Sequence, residues 1–238
     1  MIEKEQALMA RVVDLLAQRF DKHAVLRGGM VLRVLGSPRL TNHLDYVFVP
    51  YASKKDIVDE VVACLRSMEG VTIKTTLHST CLRIVLTHDD TTIQIEADVA
   101  MEVDTAPIST RLFSTQFQLP ARIISVVDYP VALANKMAAW NERRLIRDVY
   151  DIWFYLEMNV EPDPAILEAR LKRPNYSKLV KKSERFGGES LGEFYAFLRD
   201  WVGNLDDQTI EDELADYLKP DEIIGLSAMF RAALVTLR

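Results

Sequence analysis

Apolar residues recur at helical spacing through residues 3–20, where Ala7, Leu8, Val12, Leu15, Leu16 and Phe20 make one stripe. The run His23 to Leu26 then meets Gly28-Gly29. Met30 to Leu35 is apolar again and stops at Gly36-Ser37-Pro38. This pattern predicts a strand, a glycine turn and a short helix. Leu44 to Val49 is rich in Val, Tyr and Phe and ends at Pro50, as a strand does, whereas 53–68 returns to helical spacing. Three β-type runs follow, Val71–Leu77, Cys81–Thr87 and Thr91–Val99. The last two flank His88-Asp89-Asp90, which reads as a hairpin turn. Residues 112–127 read as further extended chain, broken by Pro120.

After Pro130 nearly every segment has helical periodicity, punctuated at Pro162, Pro164, Pro174, Gly187-Gly188, Gly203 and Pro220. The change predicts an α/β domain over 1–128, with a mixed sheet, followed by a helical C-terminal domain over 129–238. A chain of 238 residues has ample material for both cores.

Composition narrows the setting. Cys64 and Cys81 are the only cysteines, without the spacing of a zinc site or a disulfide framework. No stretch approaches the roughly 20 apolar residues of a membrane span, and the start MIEKEQ has no apolar signal core. The expectation is a cytoplasmic protein with no membrane partner. The net charge is −6, so no global field draws the chain to nucleic acid. The charge is uneven, however. Residues 170–185 carry Arg170, Lys172, Arg173, Lys178, Lys181, Lys182 and Arg185 against Glu184, and residues 204–222 are strongly acidic. Two readings stand: the basic run faces RNA, or it pairs with the acidic run.

Four segments carry candidate chemistry. Gly28-Gly29, between strand and helix, lets a backbone approach a phosphate closely; a plain tight turn is the competing reading. Alternation along 43–49 puts His43 and Asp45 on one strand face. Along 93–99 it turns Ile93, Ile95, Ala97 and Val99 to the core and puts Glu96 and Asp98 on the other face. If the two strands lie side by side, these polar groups could converge on a hard divalent ion; an exposed polar sheet face is the alternative. Finally, Lys136 sits in a helix with Arg143 two turns on, and Arg147-Asp148 opens a second apolar helix containing Asp151. Asp148 as an N-cap and Arg147 with Asp151 as an ion pair are the structural alternatives there.

In order and approximate spacing, the segments LRGGMVLR (26–33), RLTNHLDY (39–46), IQIEAD (93–98) and the Lys136 to Asp151 block resemble the AbiEii/AbiGii family of nucleotidyltransferase-like toxins. The resemblance spans roughly residues 23–156. It implies a nucleotidyltransferase fold that moves a nucleoside monophosphate from a nucleoside triphosphate to an acceptor hydroxyl, with RNA or a tRNA 3′ end as acceptor. It also implies a toxin of a toxin–antitoxin or phage-defence system, with a cognate antitoxin. On this resemblance Gly28, Gly29, Arg39 and Lys136 bind the nucleotide. His43, Asp45, Glu96 and Asp98 hold magnesium or manganese, Glu96 being the aligned third acid. Asp45, Lys136 and Asp148 are catalytic, with Asp148 orienting or deprotonating the acceptor. The chain departs from the family pattern at His43, where the first acid of an Asp-x-Asp pair belongs, and at Met30, where Thr is usual. A neutral imidazole brings no negative charge. The alternative that follows is a catalytically silent member that keeps the fold and binds nucleotide or a protein partner.

Overall fold

Period-two burial along the strands decides which sheet face carries the core. In β5 (Thr91–Val99) Ile93, Ile95 and Ala97 are buried, and Gln94, Glu96 and Asp98 between them are half-buried. The structure, a computed structural model, describes residues 2–237, and its internal contacts divide the chain into two units, Met1–Asp128 and Tyr129–Arg238.

In the first unit β5 joins β1 (Ala24–Arg27), β2 (His43–Phe48), β3 (Val71–Leu77), β4 (Leu82–His88), β6 (Thr105–Ser109) and β7 (Ile123–Val127). Among the described residues they form one seven-stranded sheet in the order β3-β4-β5-β2-β1-β7-β6. It is mixed: β2 with β5 and β1 with β7 are parallel, and the other neighbours are antiparallel. Helix α1 (Ile2–Phe20) packs on β5 and on α3 (Lys55–Leu65). Leu8, Val12 and Leu16 of α1 and Ile57, Val61 and Leu65 of α3 are almost wholly buried. Each such side chain stabilises the unit by about 1.5–3 kcal/mol relative to exposure. The β4–β5 turn is the residue pair Asp89-Asp90, with His88 opposite Thr91 and Asp89 at φ 50°, a conformation aspartate tolerates.

The stretch read as extended over 112–127 needs correction. Its start is a helix, α4 (Arg111–Gln116), and only its end is a strand, β7. Phe113 and Thr115 of α4 favour strands locally, but tertiary contacts override them. The Ser114 hydroxyl donates to Thr110 Oγ1 at 2.8 Å, Phe113 is buried, and its ring meets Phe117 edge-on with centroids 5.2 Å apart. The pattern also missed β6. That strand contains Pro107 and lies at the sheet edge, the position where a strand tolerates proline.

The second unit is helical: α5 (Tyr129–Arg143), α6 (Ile146–Glu157), α7 (Pro164–Leu171), α8 (Leu191–Gly203), α9 (Asp207–Leu214), α10 (Pro220–Ile223) and α11 (Leu226–Leu234). Aromatic packing fills its core. Trp140 meets Phe194, Phe197 and Trp201 at 5.4–6.0 Å, and Tyr150 and Trp153 meet Phe230. Arg144 stacks on Trp140 and Phe197, 4.5 and 5.0 Å from the ring centres. Burial pulls this guanidinium down to about 10, so it stays charged at neutral pH. Its Nη2 also donates to the Glu184 carbonyl and ties the 172–190 loop to α5.

The charge question is decided locally. Arg170 pairs with Glu142, Lys172 with Glu168 and Lys181 with Glu184, and Arg185 lies over the Tyr176 ring. Among the described residues no ion pair joins this basic run to the acidic 204–222 run. The acidic residues instead serve helix ends: Asp206 caps α9, and Glu213 accepts from the Ile146 N–H at the start of α6 (2.7 Å).

Candidate nucleotide site

The site residues of the first unit are set by strand register. Arg27 on β1 lies opposite Asp45 on β2, and Asp45 lies beside Glu96 on β5. Adjacent strands are about 4.8 Å apart, so one rung of the sheet carries a cation and two carboxylates in a row. His43 and Gln94 form the rung two residues away, and Val47 and Asp98 the rung on the other side. Behind Asp45, the buried Tyr46 phenol is held neutral, its pKa raised by desolvation.

The glycine pair is explained by what faces it. Gly28 has φ 75°, in the left-handed region, and a Cβ there would overlap Asp45 Oδ2. A Cβ on Gly29 would come 2.7 Å from Arg39 Nη2 and 3.1 Å from Thr41 Oγ1. Both positions therefore need a bare backbone, one for the acid and one for the arginine. Arg39 is almost fully buried, and its Nη1 donates to the Leu40 carbonyl at 3.2 Å, so part of its guanidinium braces the loop before β2. The helix that follows, α2 (Gly29–Val34), has one and a half turns.

Each acid of the candidate ion site already has a side-chain nitrogen close by. Asp45 Oδ2 lies 3.0 Å from His43 Nε2. Glu96 Oε1 accepts from Arg83 Nε (3.2 Å), Arg83 Nη2 (2.9 Å) and Gln94 Nε2 (2.8 Å). Asp98 Oδ1 accepts from the Val99 N–H at 2.9 Å and lies 3.8 Å from Lys54 Nζ. Among the described residues no three His, Cys, Asp or Glu side chains gather closely enough to hold a metal ion. Magnesium needs oxygens at about 2.0–2.1 Å around one centre. As arranged, His43, Asp45, Glu96 and Asp98 do not fit a resident divalent ion.

The remaining candidates lie in the second unit. Lys136 Nζ is 2.5 Å from Asp151 Oδ2, and the Asp151 side chain is almost fully buried. Asp148 is fully buried and accepts from Arg143 Nε and Nη2, each at 2.6 Å. A carboxylate held at both oxygens and closed to solvent braces α5 against α6. Arg147 donates to the Tyr217 hydroxyl at 3.0 Å, and the α6 N-cap position is Leu145, so neither structural alternative for this segment is what forms. Tyr155 is kept neutral first by burial and then by the Asp151 charge.

Sequence reasoning missed Arg27, Arg83 and Lys54 as neighbours of the acids. Arg27 was legible, since it directly precedes the glycine pair at a strand end. Arg83 alternates with the buried Leu82 and Ile84, which places it on the polar face. Nothing local announces Lys54.

The chain superposes on MenT4, a nucleotidyltransferase toxin of Mycobacterium tuberculosis H37Rv, with a TM-score of 0.62 at 16% identity, covering 98% of this chain and 82% of that one. It superposes on JHP933 of Helicobacter pylori with a TM-score of 0.54 at 14% identity, covering 99% and 93%. No curated protein sequence matches it. The family model described as nucleotidyl transferase AbiEii toxin, type IV toxin–antitoxin system, matches residues 11–225, and the chain belongs to that family. No helix among the described residues is long and apolar enough to cross a membrane.

Proposed function

We propose that this toxin moves a nucleoside monophosphate from a nucleoside triphosphate to an acceptor hydroxyl, releasing pyrophosphate. RNA, such as a tRNA 3′ end, is the acceptor, a cognate antitoxin is the partner, and the cytoplasm is the setting. The supporting observation is the Arg27–Asp45–Glu96 rung beside the bare Gly28-Gly29 backbone. Arg27 and the glycine backbone take phosphate, and Asp45 faces the reacting groups. Magnesium or manganese is the cofactor the family resemblance implies. Asp148 positions α5 and α6 through Arg143. Incubation with α-labelled nucleoside triphosphates and total RNA tests this: label should pass to RNA in the wild type and be lost in Asp45→Asn. No transfer with any nucleotide overturns it.

A second reading has its own observation. The His43–Asp45 contact occupies the carboxylate most central to the rung, as in a silent member that keeps the fold and binds nucleotide or antitoxin. Nucleotide binding that survives Asp45→Asn, without transfer in either protein, is the outcome that favours it.

A further inference from the structure

We propose that β3, the edge strand at one end of the sheet, pairs with β3 of a second copy of this chain, antiparallel and two-fold about Thr75. The surface involves none of the candidate nucleotide-site residues, so it stands apart from the proposed function.

The two ends of the sheet differ. β6 is five residues long and carries Pro107, which blunts an edge. β3 is seven residues long, has no proline, and pairs with β4 at every position from Val71–His88 to Leu77–Leu82, without a bulge. Lys74 is its one charged residue. At the hairpin end the His78 N–H donates to the Cys81 carbonyl at 2.8 Å. Counted from that bond, the antiparallel ladder turns the N–H and C=O groups of Thr72, Lys74 and Thr76 towards β4, and those of Val71, Ile73, Thr75 and Leu77 outward. A regular row of such groups is a template for a further strand. The side chains of these four residues share the face of Leu82, Ile84 and Leu86, which are buried. Yet Val71 and Ile73 are only half-buried, Thr75 is exposed and Leu77 is 46% exposed, so the apolar face outruns its cover at this edge. Lys54 Nζ donates to the Ser79 carbonyl at 2.9 Å and fastens the β3–β4 turn.

The sequence of β3 selects a second copy as the occupant. In an antiparallel pair of β3 strands outward-facing residues meet outward-facing residues, so the two-fold axis passes through a single position. An axis at Lys74 sets two ammonium groups opposite each other, which is unfavourable. An axis at Ile73 leaves Leu77 without a partner. An axis at Thr75 pairs Ile73 with the partner's Leu77, twice by symmetry, sets the two Thr75 residues against each other, and puts Lys74 opposite the partner's Thr76. The apolar side chains left half-covered in one chain thus cover each other in two. One strand pair is smaller than the roughly 1,600 Å² of a standard interface, so the dimer forms and dissociates with concentration.

Sedimentation velocity of the full chain over a wide concentration range is the first measurement. Wild type should pass from monomer to dimer as concentration rises. Thr75→Pro removes an outward N–H and no bond to β4, which an edge strand tolerates, and Leu77→Lys adds a charge at an exposed position. Both should remain monomeric, with circular dichroism showing an unchanged fold; Leu77→Lys decides alone should Thr75→Pro misfold. The second measurement fixes the register. At the axis the two Thr75 Cα atoms are about 5.5 Å apart, within reach of a disulfide. Mild oxidation should therefore convert Thr75→Cys to a covalent dimer. Lys74→Cys, whose copies lie two positions out of register, should cross-link at least about tenfold more slowly, and wild type, with Cys64 and Cys81, should not cross-link. Wild type that stays monomeric at every concentration overturns the proposal and leaves the edge to an extended segment of a different protein. A dimer that survives Leu77→Lys, or Lys74→Cys cross-linking as fast as Thr75→Cys, overturns it as well.

Discussion

Gly28 shows how one residue couples backbone and chemistry. Its positive φ and its contact with Asp45 are satisfied only without a side chain. Gly28→Ala should lower unfolding stability by roughly 1–3 kcal/mol, the usual scale of overpacking, as read by urea denaturation. Asp45→Asn keeps the volume and should leave stability nearly unchanged. The Arg143–Asp148 pair makes the opposite point, since the acid is fully buried and the arginine side chain is 40% exposed. Arg143→Ala strands a buried carboxylate and should cost about 2–4 kcal/mol, at the lower end because the arginine is partly solvated. Asp148→Asn keeps shape and one acceptor and should cost less. If Arg143→Ala proves neutral by urea denaturation, the bracing role assigned to the pair is wrong.

At the scale of elements, the helical unit depends on acids at helix starts. Ser190 and Glu193 form a capping box on α8, and the Asp206 side chain accepts from the Thr209 N–H at the start of α9. Hydrogen bonds from the Glu189 backbone and from Ser190 hold Glu193 below its usual value, and those from Thr209 do the same for Asp206. The folded-state values are depressed, so this stabilisation is present above the ordinary carboxylate range, near pH 4, and is lost as pH falls through the folded-state values. Melting temperature should therefore fall with acidification below about pH 4. Asp206→Asn, which caps without titrating, should shrink that fall; an unchanged acid profile would remove Asp206 from the account. The basic run after α7 is a different kind of element, a loop fastened by Arg144 and Glu142 whose charges point outward.

Over the whole molecule the net charge of −6 and this basic run pull in opposite directions. Arg173, Lys178 and Lys182 are exposed, beside Leu179 at 85% exposure, and Lys181, exposed as well, pairs with Glu184 of the same run. If RNA is the acceptor, replacing these four by Ala should weaken RNA binding. It should also flatten the dependence of log K on log salt by about 3, from roughly 0.7 per neutralised phosphate on a single strand. Fluorescence anisotropy between low and physiological salt measures both. A slope equal to that of the wild type would place the RNA contact elsewhere.

The amino-acid sequence by itself determined the order of elements, the change from β-rich to helical chain near residue 128, and the family motifs, because periodicity and glycine turns are local properties. It also determined that Glu96 and Asp98 share one strand face and that His43 and Asp45 share another. Only the tertiary structure decided what those side chains meet. Alternation assigns a face but not a register, so the Arg27–Asp45–Glu96 rung and the Arg83–Glu96 pair waited on strand pairing. The helix at 111–116 and the edge strand at 105–109 were hidden for a related reason: their local propensities pointed elsewhere, and burial of Phe113 and the neighbouring strand β7 overruled them. The partners of Asp148, Lys136 and Ile146 likewise come from packing between helices, and Glu213, which caps Ile146, lies 67 residues away in the chain.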